Sequence, residues 1–200
     1  RGLWVGGGGG LGGRAGGAAM QGFVAWGGMV ILAGAARSEE VPPPRTLGCI
    51  PIDAVAAEYT ARDLAGVVRA CVDAGRSADA VALFITYNSF ALFDQQRVRD
   101  TSAHLVLQDL NLWVLSGYDR EQMSALKSHL AVFKDRRSEF ARRVCAALWQ
   151  MGPPDYRPSY MIVQGQMPRR HAEDWRTEGF DPRAAWTRAV SGVNGCPKPH

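Results

Sequence analysis

Four histidines, His104, His129, His171 and His200, are the candidates for proton transfer near neutral pH, and each needs a nucleophile or carboxylate in reach to work. The densest group is His171, Glu173 and Asp174, beside Arg169 and Arg170. Acid–base or metal chemistry is conceivable there, with a solvated polar turn as the alternative, because the spacing does not aim the side chains at one point. Glu139, near an expected helix start, could act as a general acid of the glycosidase type, yet no second carboxylate is marked as its partner and a favourable interaction with the helix dipole explains it equally. His104 lies among apolar neighbours and fits a core histidine satisfied by a carbonyl or carboxylate. No Gly-x-Ser-x-Gly elbow, His-Glu-x-x-His pair or phosphate-binding glycine loop accompanies these residues, and the run Gly6 to Gly10 lacks the bracketing strand and helix that phosphate cradling requires. The expectation is a protein that is not an enzyme, with no catalytic residue, no metal ligand and no cofactor.

The other reactive side chains are Cys49, Cys71, Cys145 and Cys196. No pair has zinc-ligand spacing, and an even number in an exported chain favours disulfides. Cys71 and Cys145 each fall on the apolar side of an expected helix, so a bridge between those helices is geometrically reasonable, and Cys49 and Cys196 would then clasp the chain ends. Three connectivities remain open, as does the alternative that Cys71 and Cys145 are small buried hydrophobes. Gly48-Cys49 resembles a lipoprotein acceptor, but Thr46 stands where leucine is usual, and Cys49 reads as an ordinary cysteine.

The elements that must position these groups are organised around Thr60 to Phe93. Leu64, Val67, Val68, Cys71 and Val72 recur at the spacing of one helical face, Thr60 and Asp63 form a capping pair, and Gly75 supplies the stop. Ser77 starts a second helix with Ala80, Val81, Phe84 and Tyr87 or Asn88 in period, so the two lie antiparallel across a shared seam. Leu64, Val67, Cys71, Gly75, Ala80 and Phe84 together resemble one tetratricopeptide-type helix pair; no second copy appears a repeat length later, and an ordinary helical hairpin is the alternative.

Asp94 to Asp100 is polar and is expected to turn the chain. A third helix then starts at Thr101 or Ser102, with Leu107, Leu110 and Val114 toward the core and Leu105, Leu112, Trp113 and Leu115 making it apolar nearly all round, as befits a buried spine ended by Gly117. Asp119 and Gln122 cap a fourth helix bearing Met123, Leu126, Leu130 and Phe133, and Ser138 begins a fifth bearing Phe140, Val144, Leu148 and Met151 up to Gly152-Pro153-Pro154. Asp155 to Gln166 suits an irregular loop or one short strand, either packed by its aromatics or exposed for a partner, with Tyr156, Tyr160 and Met161 as partner-binding candidates. Asp181-Pro182 starts a last helix that offers Ala185, Trp186, Ala189, Val190 and Val193 to the body.

Ahead of this domain, assigned to 60–200, come three segments. Residues 1–19 are a Gly-rich extension expected to be disordered, 20–36 a signal peptide or N-terminal anchor, and 37–59 an extended Pro-rich lead-in with a short helix over Asp53 to Tyr59. Met20 fits a true translation start. With 46% hydrophobic and 21% charged residues the chain can bury a core. Removing residues 1–36, which carry Arg1 and Arg14, lowers the net charge from +4 to +2, so no nucleic-acid partner is expected. Arg136, Arg137, Arg142 and Arg143 read as a solvated helix face.

The fold class is thus all-α: a bundle of about five to six helices on a central antiparallel hairpin. The order of signal segment, helix pair, Pro-Pro-Asp-Tyr loop running into Tyr160-Met161-Ile162, and late Cys196-Pro197 is similar to exported proteobacterial helical proteins of unknown function. That resemblance implies a periplasmic or secreted protein and transfers no site residue. The functional expectation is an interaction module of the bacterial cell envelope with a protein partner, membrane contact arising only if residues 20–36 are retained as an inner-membrane anchor. An envelope hydrolase, or an immunity-type protein that neutralises a toxin, is the alternative.

Overall fold

The computed structural model describes residues 44–166 and 174–199, so the expectations for the Gly-rich extension, the export segment and the first prolines of the lead-in lie outside them. The described residues belong to the unit Ser38–His200, which is all-α. Its helices are α1 (Ala61–Asp73), α2 (Ser77–Arg97), α3 (Val106–Leu115), α4 (Arg120–Lys134), α5 (Glu139–Met151), the single turn α6 (Ser159–Ile162) and α7 (Pro182–Thr187), with 3-10 turns at Ile52–Ala54 and Thr101–Leu105.

The termini of these helices are set by short-range chemistry. Thr60 Oγ1 accepts from Asp63 N at 3.1 Å while Asp63 Oδ2 accepts from Thr60 N at 2.9 Å, a reciprocal capping box. Asp119 and Gln122 repeat it on α4 at 2.8 and 3.0 Å. Ser138 caps α5, and Asp181 caps α7 with Pro182 at the first helical position. Gly75, at φ 71°, closes α1: its N–H bonds Val72 O and the Arg76 N–H bonds Cys71 O, using carbonyls the helix leaves unpaired.

The antiparallel α1–α2 pair is the expected one, with Leu64, Val67, Val68, Cys71 and Val72 all buried. The spine, however, is α2 rather than α3. On α2 the buried residues run from Ala80 to Arg97, and α1, α4, α7 and the segment after α7 all pack on it. Polar side chains tolerate this because they bond locally: Thr86 Oγ1 donates to Ala82 O and Ser89 Oγ to Ile85 O, both at 3.0 Å. In α3 only Leu107 and Val114 are buried, while Leu112, Trp113 and Leu115 are 71, 47 and 48% exposed and Leu105, at the end of the preceding turn, is 58% exposed.

Three further expectations change. The polar stretch from Asp94 does not turn the chain at once; α2 continues through Arg97, because Asp94 and Arg97, three residues apart on one face, pair inside the protein. The Tyr/Pro segment contains the turn α6 and no strand, and among the described residues the only β pairing is the isolated bridge of Val98 with Arg176. After Thr187 the helix widens into a π-helical turn, Arg188–Val193, which rotates the later residues about the axis and leaves Val193 62% exposed instead of facing the body.

The disulfides join Cys49 to Cys71 and Cys145 to Cys196, neither being the bridge between Cys71 and Cys145. Each fastens an irregular segment to a helix rather than helix to helix. Cys49–Cys71 ties the lead-in to α1, helped by Arg45 N donating to Asp63 Oδ1 at 2.8 Å and by Arg76 Nη1 donating to Cys49 O at 2.9 Å. Cys145–Cys196 ties the chain end to α5, beside Trp149 Nε1 donating to Pro197 O at 2.7 Å. The helical body therefore incorporates the end of the lead-in, where Ile52 is buried.

Candidate functional site

Two clusters of polar side chains stand on α2, and they differ in access. The first is at its C-terminal end. Asp94 Oδ1 accepts from Arg97 Nε at 2.8 Å, with Arg97 Nη2 2.6 Å from the same oxygen as an ion pair. Asp94 Oδ2 accepts from the hydroxyls of Tyr156 and Tyr160 at 2.6 and 2.7 Å. Tyr156 Oη in turn accepts from Ala61 N, an otherwise orphan donor at the start of α1, at 3.0 Å. The Arg97 guanidinium also lies over the rings of Phe93, Tyr156 and Trp175 and donates to Pro154 O.

Burial pushes the Asp94 carboxyl above its ordinary range, against the opposing pull of Arg97 and the two hydroxyls. The Tyr156 and Tyr160 phenols are held well above theirs, first by burial and then by the charge of Asp94. Perturbed groups of this kind mark many active sites. Here the Asp94 and Arg97 side chains are 0 and 3% exposed, and none of the four residues lines the open cleft on the other side of α2. Both Asp94 oxygens and both tyrosine hydroxyls are bonded within the protein, with Arg97 Nη2 held by its ion pair alone, so the arrangement fastens α1, α2 and α6 together.

Tyr160 and Met161, expected to meet a partner, are accordingly buried, and Tyr156 is half-buried with its hydroxyl turned to Asp94. Two tyrosine hydroxyls with a buried carboxylate to satisfy draw the Pro/Tyr segment inward. The sequence signal for this was present in the Asp94/Arg97 spacing beside Phe90 and Phe93, which places the pair next to aromatic core residues of α2.

The second cluster lines a cleft of about 240 Å³ between α2 and the Thr101–Leu105 turn with α3. Asn88, Ala91, Leu92 and Gln95 form one wall; His104, Leu105, Leu107, Gln108 and Asn111 form the other. Tyr87 Oη donates to Asn111 Oδ1 at 3.1 Å, and His104 Nε2 lies 3.0 Å from Val98 O, so α3 runs antiparallel to α2. A carbonyl can only accept, which makes Nε2 the protonated nitrogen and leaves Nδ1 of a neutral ring as an acceptor. The exposed Leu112 and Leu115 continue the same side of α3 beyond Asn111.

The remaining candidates do not converge. His171 and Glu173, with Arg169 and Arg170, fall outside the described residues, and Asp174 is exposed. Glu139 is exposed in the first turn of α5, and His129 is half-buried near the Phe140 ring. Arg136 departs from the solvated face: it donates to Phe133 O and to Asn194 O, while Arg137, Arg142 and Arg143 are exposed. Among the described residues no group of His, Cys, Asp and Glu could hold a metal ion, and no helix is long and apolar enough to cross a membrane. Comparison with family models, with curated proteins and with solved structures finds no match.

Proposed function

We propose that this chain is an extracytoplasmic, periplasmic or secreted, helical module that binds another protein of the bacterial cell envelope and carries no catalytic activity. The observation behind this is the outward side of α3 and the turn before it, which bring Leu105, Leu112 and Leu115 to solvent. Single exposed apolar residues are ordinary, whereas a stripe of Leu105, Leu112 and Leu115 along one side is the pattern of a surface that a partner covers; Trp113 lies round the helix from it, beneath the Arg69 guanidinium. The two disulfides support the compartment, since such bridges persist where the surroundings are oxidising. Tyr160 and Met161 have no part in this surface.

The test is a photo-reactive residue placed at Leu112 in the full chain expressed in its native host. The expected result is a discrete adduct that Leu115→Glu abolishes while the far-ultraviolet spectrum is unchanged. Absence of any adduct from position 112, with efficient labelling of the same residue by a small-molecule quencher, sinks the proposal. Mass spectrometry without reductant checks the compartment, where four free thiols would count against export.

A further inference from the structure

The cleft beside the α3 stripe differs in chemistry from the rest of the surface. None of its nine lining side chains carries a fixed charge, in a protein with 23 basic and 19 acidic residues, and four of the nine are carboxamides. Their hydrogen bonds are half made. Asn88 Nδ2 donates to Phe84 O at 2.9 Å, which leaves its oxygen; Asn111 Oδ1 receives the Tyr87 hydroxyl, which leaves its NH₂ group. Gln95 and Gln108 have no protein partner among the described residues, so each keeps a donor and an acceptor. The opposed walls therefore present free donors and free acceptors alongside the apolar Ala91 and the buried Leu107.

We propose that this cleft seats an extended, uncharged segment of a peptide chain, whose main-chain N–H and C=O groups are bonded by Asn88, Gln95, Gln108 and Asn111. The inference rests on the protein-binding role of the α3 face and names what part of the partner is bound. A peptide unit is the common ligand group that carries one donor and one acceptor pointing in opposite directions, which is what a carboxamide on each wall matches. The neutral lining disfavours a phosphate or carboxylate ligand, which would look for Arg or Lys. No ring other than the His104 imidazole lines the cleft, so a sugar has no aromatic face to lie on.

The length fits as well. From His104 to Asn111 the wall is about 10 Å long at 1.5 Å per residue, the span of about three residues of extended chain, and Leu112 and Leu115 continue it beyond the cleft. Successive side chains of such a strand alternate, so one set enters the cleft beside Ala91 and Leu107 while flanking apolar residues rest on Leu105, Leu112 and Leu115.

The experiment selects binders to the native, disulfide-bonded full chain from a displayed library of random dodecapeptides and titrates a synthetic copy of the recovered sequence by NMR. The expected outcome is an apolar, uncharged core sequence that shifts the side-chain NH₂ resonances of Gln95 and Gln108. Affinity should fall at least about tenfold in Q95A/Q108A, and the milder Q95M/Q108M provides the same reading if the first variant folds poorly. Replacing the central amides of the peptide by esters should weaken binding in the same way. Recovery of no peptide, or of peptides that leave both glutamine resonances unmoved, overturns the proposal, as does a shift of those resonances by a tetramer of N-acetylglucosamine alone. Such a failure is separable from that of the broader role, because the adduct from position 112 would then persist and be indifferent to Q95A/Q108A.

Discussion

Two faces of α2 put polar side chains to opposite uses. Around Asp94 both carboxylate oxygens and both tyrosine hydroxyls are matched within the protein, and the Asp94 and Arg97 side chains are closed to solvent. Around Asn88 and Gln95, on another face of the same helix, carboxamides line an open cleft with half of their capacity unused. Charge explains the contrast. Burying an ion is tolerable only when a counter-ion and hydrogen bonds surround it, so charged residues that enter a core become fasteners. Neutral amides lose little by standing half in water and remain available to a ligand.

Breaking the charged face should therefore produce the largest effect. Arg97→Met leaves Asp94 buried without its partner, and urea unfolding is expected to show a loss of about 3–5 kcal/mol. Adding Asp94→Asn to that variant removes the unpaired charge and should restore a large part of the loss. A cost below about 1 kcal/mol for Arg97→Met would mean that water reaches Asp94 and that the two regions do not differ as described.

Next in size are the bridges. Cys145→Ser with Cys196→Ser frees a loop of 51 residues and should cost about 2–5 kcal/mol, somewhat more than opening the 22-residue loop of Cys49–Cys71. Thermal unfolding of the two double variants decides the order. That both bridges tie irregular segments was beyond reach of the residue pattern, which placed Cys71 and Cys145 on helices but held no information on where Cys49 and Cys196 lie in space.

A smaller effect, tied to pH, comes from the hydroxyls. Tyr160→Phe removes one of two donors to Asp94 Oδ2 and is expected to cost about 1–3 kcal/mol near neutral pH. In the folded protein burial raises the Tyr156 and Tyr160 phenols above the ordinary value of about 10, so their contribution is complete below that pH and is lost as pH climbs beyond it. Phenolate absorbance should accordingly rise together with the loss of helical signal above about pH 10, and Tyr160→Phe should make that alkaline fall less steep. Phenolate appearing well before unfolding would show the hydroxyls to be in contact with water.

How much of this was legible in the sequence depends on the range of the interaction. Caps and stops were: Thr60 with Asp63, Asp119 with Gln122, Ser138, Asp181-Pro182 and Gly75 act within a few residues, and the structure has each in place. Membership of the core was legible on α1, whose apolar residues keep one period. It was not on α2 and α3, because hydropathy alone ranks Leu112, Trp113 and Leu115 above Thr86, Ser89 and Asp94. Only tertiary neighbours reverse that order: Ser89 receives Asn194 Nδ2 at 2.7 Å across 105 residues, and Asp94 receives two tyrosines from a segment more than sixty residues on. The cleft was illegible for the same reason, since Asn88 and Gln95 become a wall only when α3 folds back beside them.

The smallest effect on stability is expected where the effect on binding is expected to be large. Leu112 touches nothing that fixes the fold, being 71% exposed on a helix whose buried side is carried by Leu107 and Val114. Leu112→Glu should therefore change unfolding free energy by no more than about 0.5 kcal/mol, the usual range for a surface substitution. The same is expected of Gln95→Ala, whose side chain bonds to no other described residue. Urea midpoints of the two variants, set beside that of Arg97→Met, measure directly how far the closed and open regions diverge. A loss of about 2 kcal/mol or more in Leu112→Glu would show that this leucine is covered by the protein itself, and the outward side of α3 would then belong to the core rather than to a partner.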